Sequence, residues 1–441
     1  MKLLPLSYPV IWVWAVVCLT GARAIYAADQ PPVTRQEFQQ LQEENRQLED
    51  RLQKEDSLIE SLTRQVSDLQ KSKTQESLVV STNSETSTGS SGFHLGKVDI
   101  SGEGGLAFFE SQSKGQTPNS EFRIDEARLF VEAPIWDQVY FYTELNLATR
   151  EENDLALRFG ELYLDFEGVS RLWNSERTLN IRAGRFYIPF GEEYLQRFAI
   201  DNPLISHSLG DLWGEDNGVE LYGQLGAWGY NLAVQNGGVN ASRDFNGDKS
   251  VSGKIGWDPL DWLHLSVSAM RTGDLDSRRD MLSAMWFGGG FFRSMGSSNT
   301  TVFHANLAEF DLQIHEGPMR LSAAGGYINY DSDDPNRGNN RDVYYFYAEE
   351  RQQLTRKLYS AARFSEVFAH NGFPIVGNGD MGTYLFNELT SQYWRLSLGL
   401  GYNFSRNLLL KGEYSFNRGR EVDGTPRNHQ DLFALEAAYK F

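Results

Sequence analysis

The links between the candidate strands constrain this chain more than the strands themselves. Sixteen segments with strand character run over about 97–110, 121–133, 139–149, 157–167, 179–189, 218–225, 228–236, 250–257, 263–272, 301–314, 319–330, 342–350, 355–368, 391–404, 408–418 and 431–441. Links two, six, eight, ten and fourteen are tight turns: "APIWDQ", "GAW", "DPLDW", "HEGPM" and "SRN". Most odd-numbered links are longer and polar, among them 190–217, 273–300 and 369–390. An even strand number with short turns at one end and long loops at the other is the pattern of an all-β transmembrane barrel of 16 antiparallel strands. A soluble sandwich has no need of that parity.

The alternation within strands agrees. In "YWRLSLGLGYNF", Leu396, Leu398 and Leu400 fall on one face and Arg395, Ser397, Gly399 and Gly401 on the other. The last stretch, "FALEAAYKF", puts Phe433, Leu435, Ala437, Tyr439 and Phe441 on one parity, and Ala434, Glu436, Ala438 and Lys440 on the other. A strand that runs to the final aromatic fits a closed barrel, where the last strand pairs with the first and no edge is left open. Aromatic clusters such as "VYFY" (139–142) and "YYFY" (344–347) sit near strand ends, where interfacial girdles lie. With 13% aromatic residues, 41 glycines and a mean hydropathy of −0.46, the chain is too polar for a helical membrane protein. A net charge of −18 argues against nucleic acid as a partner.

The first 92 residues differ in character. Residues 1–28 read as an export signal: Lys2, the apolar "VIWVWAVVCLT" and the small-x-small "ARA", with the cut between 24 and 28. The one cysteine, Cys18, lies within it, so a mature chain carries no disulfide. Residues 34–73 contain no Gly or Pro and follow a heptad. Phe38, Asn45, Leu52, Ile59 and Val66 take a positions; Leu41, Leu48, Glu55, Leu62 and Leu69 take d positions. That predicts an α-helical coiled coil roughly 48 Å long. Residues 74–92 are a Ser/Thr-rich linker, and 93–441 is the barrel. In an even-stranded barrel both chain ends share the side of the short turns, which places the coil in the periplasm.

Three stretches bear a closer resemblance. "EARLFVEAPIWDQVYFYTELNLA" (126–148), "GELYLDFEG" (160–168) and "IRAGRFYIPFGEEYL" (181–195) resemble the phosphate-selective porin O and P family. The resemblance implies a sixteen-stranded homotrimeric outer-membrane porin whose third outer loop folds into the lumen. Here that loop is 190–217, with Pro189, Phe190 and Gly191 turning the chain inward. The pore-constriction candidates are then Arg128, Arg182, Arg185 and Arg197, with Tyr187 where many members carry Lys, and the loop acids Glu192 and Glu193. Residues 93–441 carry about −15 of the total charge, so phosphate preference depends on which of these cations face the lumen. The alternative is that they pair across it as a brace.

Catalysis is not expected. Asp201, Ser206 and His207 in "DNPLISHS" are neighbours in sequence, which is not a triad in space. "DFNGDKS" (244–250) has Ile255 where a calcium loop needs its twelfth-position Glu. The seven His residues show no metal spacing, and no cofactor is expected. The sequence points to passive diffusion of small hydrophilic solutes, small anions or phosphate among them, through a barrel set in outer-membrane lipid. The alternative is a structural tether whose coil reaches peptidoglycan.

Overall fold

The computed structural model describes residues 93–95, 97–115, 117–148, 157–173, 175, 177–237, 247–273, 275–276, 302–332, 341–373 and 390–441. The expected signal, coiled coil and linker lie outside the described residues. Sixteen long strands make one antiparallel sheet. They are β1 (Val98–Ser111), β2 (Glu121–Trp136), β3 (Val139–Ala148), β4 (Arg158–Phe166), β5 (Asn180–Tyr187) and β6 (Glu215–Leu225). The next are β7 (Trp228–Gln235), β8 (Ser250–Leu260), β9 (Leu263–Arg271), β10 (Val302–Glu316) and β11 (Met319–Ser332). The circuit finishes with β12 (Arg341–Gln353), β13 (Leu358–Phe373), β14 (Thr390–Asn403), β15 (Leu408–Glu421) and β16 (Leu432–Lys440).

Each strand pairs with its sequence neighbours, and β16 pairs with β1 from Leu432↔Ser111 to Lys440↔Glu103, so the sheet is closed. Two backbone hydrogen bonds continue that seam. Phe441 N donates to Gly102 O at 2.8 Å, and Gly102 N donates to Phe441 O at 3.1 Å. Glycine is required here by its neighbours: a Cβ on Gly104 would stand 2.6 Å from Glu126 O and 2.8 Å from the Tyr439 hydroxyl, and one on Gly102 would meet the Phe441 ring. The terminal aromatics thus occupy the space that side chains on Gly102 and Gly104 would fill.

The period-2 pattern sorts side chains as a membrane barrel demands. Outward positions carry exposed apolar groups, such as Leu398, Leu400, Phe433 and Leu435, while Ser397, Ala434, Glu436 and Ala438 on the alternate parity are buried. Stacked Trp228 and Trp257, 5.2 Å apart, stand near the short-turn end of the outer face. The link between β4 and β5 departs from the short-turn rule. It spans 167–179 and folds into a 3-10 turn, Val169–Trp173, that lifts Arg171 to the rim.

Candidate functional site

The chain leaves β5 at Tyr187 and turns into the barrel. Phe190 N donates back to Ile188 O at 2.8 Å, and Gly191 adopts φ 71°, a left-handed conformation that glycine takes without strain. A 3-10 turn, Glu193–Gln196, follows. The third long loop, 188–214, then crosses the lumen and is mostly buried, with Leu195 and Asp201 exposed.

The sequence inserts this loop by two means. Apolar loop residues Ile188, Phe190, Leu209 and Leu212 pack against Met270, Leu307, Ile328, Val343, Tyr345, Val367 and Tyr393, which point inward from β9 to β14. Each large side chain so buried contributes about 1.5–3 kcal/mol. The loop backbone, which has no strand neighbour along most of its course, takes part of its hydrogen bonds from within the loop and many from wall side chains, since buried peptide groups must be paired. Gly191 N donates to Ser268 Oγ at 3.0 Å and Glu192 N to Asp311 Oδ1 at 3.2 Å. Ala199 N donates to Glu126 Oε2 at 2.9 Å, while Ile205 N and Ser206 N both donate to Glu413 Oε2, at 2.6 and 2.7 Å. Lys411 Nζ donates to the carbonyls of Ala199, Asn202 and Leu204 at 2.6, 3.2 and 2.9 Å. Arg363 and Arg395 reach the carbonyls of Ser206 and His207, and Lys254 reaches Gly191 O.

The residues expected at the constriction gather around this loop, each with partners. Arg128 is 3% exposed. It donates to Glu144 at 3.0 Å and to the Tyr187 hydroxyl at 3.1 Å, with the Phe198 ring 4.3 Å away. Arg197 is 1% exposed, pairs with Asp211 at 3.2 Å and lies over Trp213 at 4.0 Å. Arg185 donates to Gly160 O and Glu215, both at 2.7 Å. Arg182 stands further toward the short-turn end, is half-buried, and bridges Asp165 and Glu220 at 3.0 and 3.1 Å. Glu192 accepts from Lys254 at 3.2 Å and lies 3.3 Å from His264. Burial alone would raise the Glu192 carboxyl, but the His264 hydrogen bond and the Lys254 ammonium outweigh it and hold the group below its ordinary range. The Asp201, Ser206 and His207 stretch does not converge. The Ser206 hydroxyl donates to Glu413, whereas His207 faces Asp211 at 3.1 Å and Arg197 O at 2.9 Å.

Sequence reasoning passed over the clamp. Lys411, Glu413, Ser415 and Asn417 occur at every second position of "LLLKGEYSFN", a polar row facing inward from a strand whose other face is apolar. That row was the available signal.

Glu193 gives the loop a pH dependence. Burial, and next the neighbouring Asp211 carboxylate, push it from the ordinary 4.5 up to about 7, against the pull of Arg363. The folded loop therefore keeps a proton that the unfolded chain has released, and stability falls as pH rises from about 4.5 through 7. Glu193→Gln should abolish that component: the heat-modifiability midpoint of wild type should drop below that of the variant at pH 8 and match it at pH 4. Parallel pH curves for the two proteins would refute it.

A closed sixteen-stranded barrel with a charged lumen and an inserted third long loop defines a porin-type channel. The chain belongs to the beta-barrel porin-2 family, OmpL-like, whose model matches residues 161–441. The porin class expected from the sequence is thus found; the matching family model is not that of the phosphate-selective porins. Among solved structures, the chain is similar to the outer membrane channel DcaP of Acinetobacter baumannii, with 14% identity over 78% of this chain and 97% of that one, TM-score 0.52. It is also similar to the trimer form of OmpT, an outer membrane protein of Vibrio cholerae, with 12% identity, 78% and 99% coverage and TM-score 0.51. An anion-selective porin from Comamonas acidovorans matches with 11% identity, 78% and 99% coverage and TM-score 0.50. These likenesses concern the fold. No curated protein matches the sequence.

Proposed function

We propose that this protein is a passive porin of the bacterial outer membrane that admits small hydrophilic solutes past its inserted loop, along the wall of β3 to β6. The observation that carries this is the placement of the loop's anchors. Hydrogen bonds between its backbone and the wall run to β2, β8, β9, β10, β13, β14 and β15, whereas Tyr142, Tyr163, Arg182 and Tyr222 on β3 to β6 stay partly exposed. Anion or phosphate preference would need cations free to meet the solute. Arg128, Arg185 and Arg197 each pair with a carboxylate, which favours the brace. Arg171 and Arg177, exposed at the short-turn mouth, lend the anion reading some support.

Around the barrel the proposed layout is a cleaved leader (1–28), a periplasmic coiled coil (34–73), a linker (74–92) and a homotrimer, the last on the precedent of the trimeric OmpT form. The peptidoglycan tether rests on the coil alone, and no feature among the described residues of the barrel favours it. Purified protein in planar bilayers tests the main reading. Stable ohmic channels are expected; a folded barrel that inserts and never conducts would refute it.

A further inference from the structure

Three tyrosines share one wall of the lumen. Tyr142 on β3, Tyr163 on β4 and Tyr222 on β6 take the inward parity of their strands, whereas Leu162, Leu164, Val219 and Leu221 are exposed on the outward parity. All three rings are half-buried, and Tyr142 stacks on Tyr163 at 5.1 Å and 25°. Glu161, Asp165 and Glu220 share the inward parity of the same strands and are buried. Arg128 and Arg185, the nearest cations above, are engaged by Glu144 and Glu215.

The cation set among the rings is Arg182, and its surroundings show what they accommodate. Its guanidinium lies 4.4 Å from the Tyr163 ring centre and 5.1 Å from that of Tyr222. Asp165 and Glu220 stand in register with it on the flanking strands β4 and β6 and accept its hydrogen bonds. The Tyr222 hydroxyl braces Asp165 at 2.8 Å, and Asn231 braces Glu220 at 2.6 Å. An electron-rich ring face with a carboxylate beside it is the chemistry that holds a guanidinium or an ammonium.

Building on the porin reading, we propose that this wall is a track for small organic cations, guanidinium- or ammonium-bearing solutes that pass over the tyrosine rings and share the carboxylates with Arg182. A cavity of about 590 Å3 at the short-turn mouth, lined by Tyr222, Asn180, Gln224, Glu167 and Asp258, opens beneath it; Arg171 and Arg177 line the same cavity. Such a track makes the pore prefer cations and lets an organic cation dwell longer than potassium.

The test is single-channel recording in planar bilayers with potassium chloride gradients, then with guanidinium chloride and spermidine added. Wild type should show a cation-selective reversal potential and voltage-dependent block by both probes. Tyr163→Leu should weaken the block by about fivefold and Tyr163→Phe should preserve it, since the ring face and not the hydroxyl makes the contact. Asp165→Asn with Glu220→Gln should move the reversal potential toward anions. Channels that conduct but prefer chloride, or block that is equal in the Leu and Phe variants, would overturn the track while leaving the porin standing. Absence of conductance would overturn both. Should the Leu variant fail to fold, the wild-type reversal potential and block decide alone.

Discussion

Replacing Lys411 by methionine should free the inserted loop and raise single-channel conductance, while lowering barrel stability by about 3–5 kcal/mol. Lys411 is 2% exposed, and its ammonium serves three loop carbonyls, those of Ala199, Asn202 and Leu204, while pairing with Glu436 at 2.6 Å. Methionine keeps most of the volume, so the loss is electrostatic. Glu436, 1% exposed, would remain without that ammonium, and three buried carbonyls would lose their donor. The apolar half of the loop, Ile188, Phe190, Leu209 and Leu212, keeps its seat on the β9 to β14 wall. Release should therefore be confined to the segment around 199–206 and should widen the lumen beside β15, β16 and β1. Conductance in bilayers and the heat-modifiability midpoint report the two effects separately. A destabilised barrel of unchanged conductance would mean that the loop keeps its course without the lysine.

The barrel was legible in the sequence because period 2 and link parity are local properties. Thirteen-residue runs such as "TSQYWRLSLGLGY" announce their own faces, and each of the sixteen expected strands overlaps an observed one. The route of the loop was half legible. "PFG" after a strand signals a turn, and Gly191 takes it with φ 71°. The loop's anchors were not legible, since Glu413 lies more than two hundred residues from Ser206 and only closure of the barrel brings them together. The same limit applies to the arginines. Sequence places Arg128 and Arg197 near the constriction but cannot show that Phe198 and Trp213, both from the loop, cover their guanidinium faces. Link four was not legible: nothing in "GVSRLW" announces the 3-10 turn, Val169–Trp173, that it contains.

Replacing Arg197 by alanine should leave the reversal potential unchanged and lower stability by about 3–5 kcal/mol. Arg197 is buried between Trp213 and Asp211, so it contributes little to the potential that a solute meets and much to the seating of the loop. Burial alone would raise the Asp211 carboxyl, yet the Arg197 guanidinium, with His207, holds it well below the usual carboxylate range. A depressed carboxyl adds stability that is present above its ordinary pKa and lost as pH falls through the folded value. Wild type should therefore resist acid, and the Arg197 variant should begin to lose its loop at a higher pH. Arg185 is left in place in this test, because alanine there would expose the Glu215 carboxylate in place of a neutral pair and move the reversal potential by itself. A marked shift of reversal potential toward cations, with stability intact, would instead make this side chain an anion filter, and would restore the phosphate-type reading of the pore.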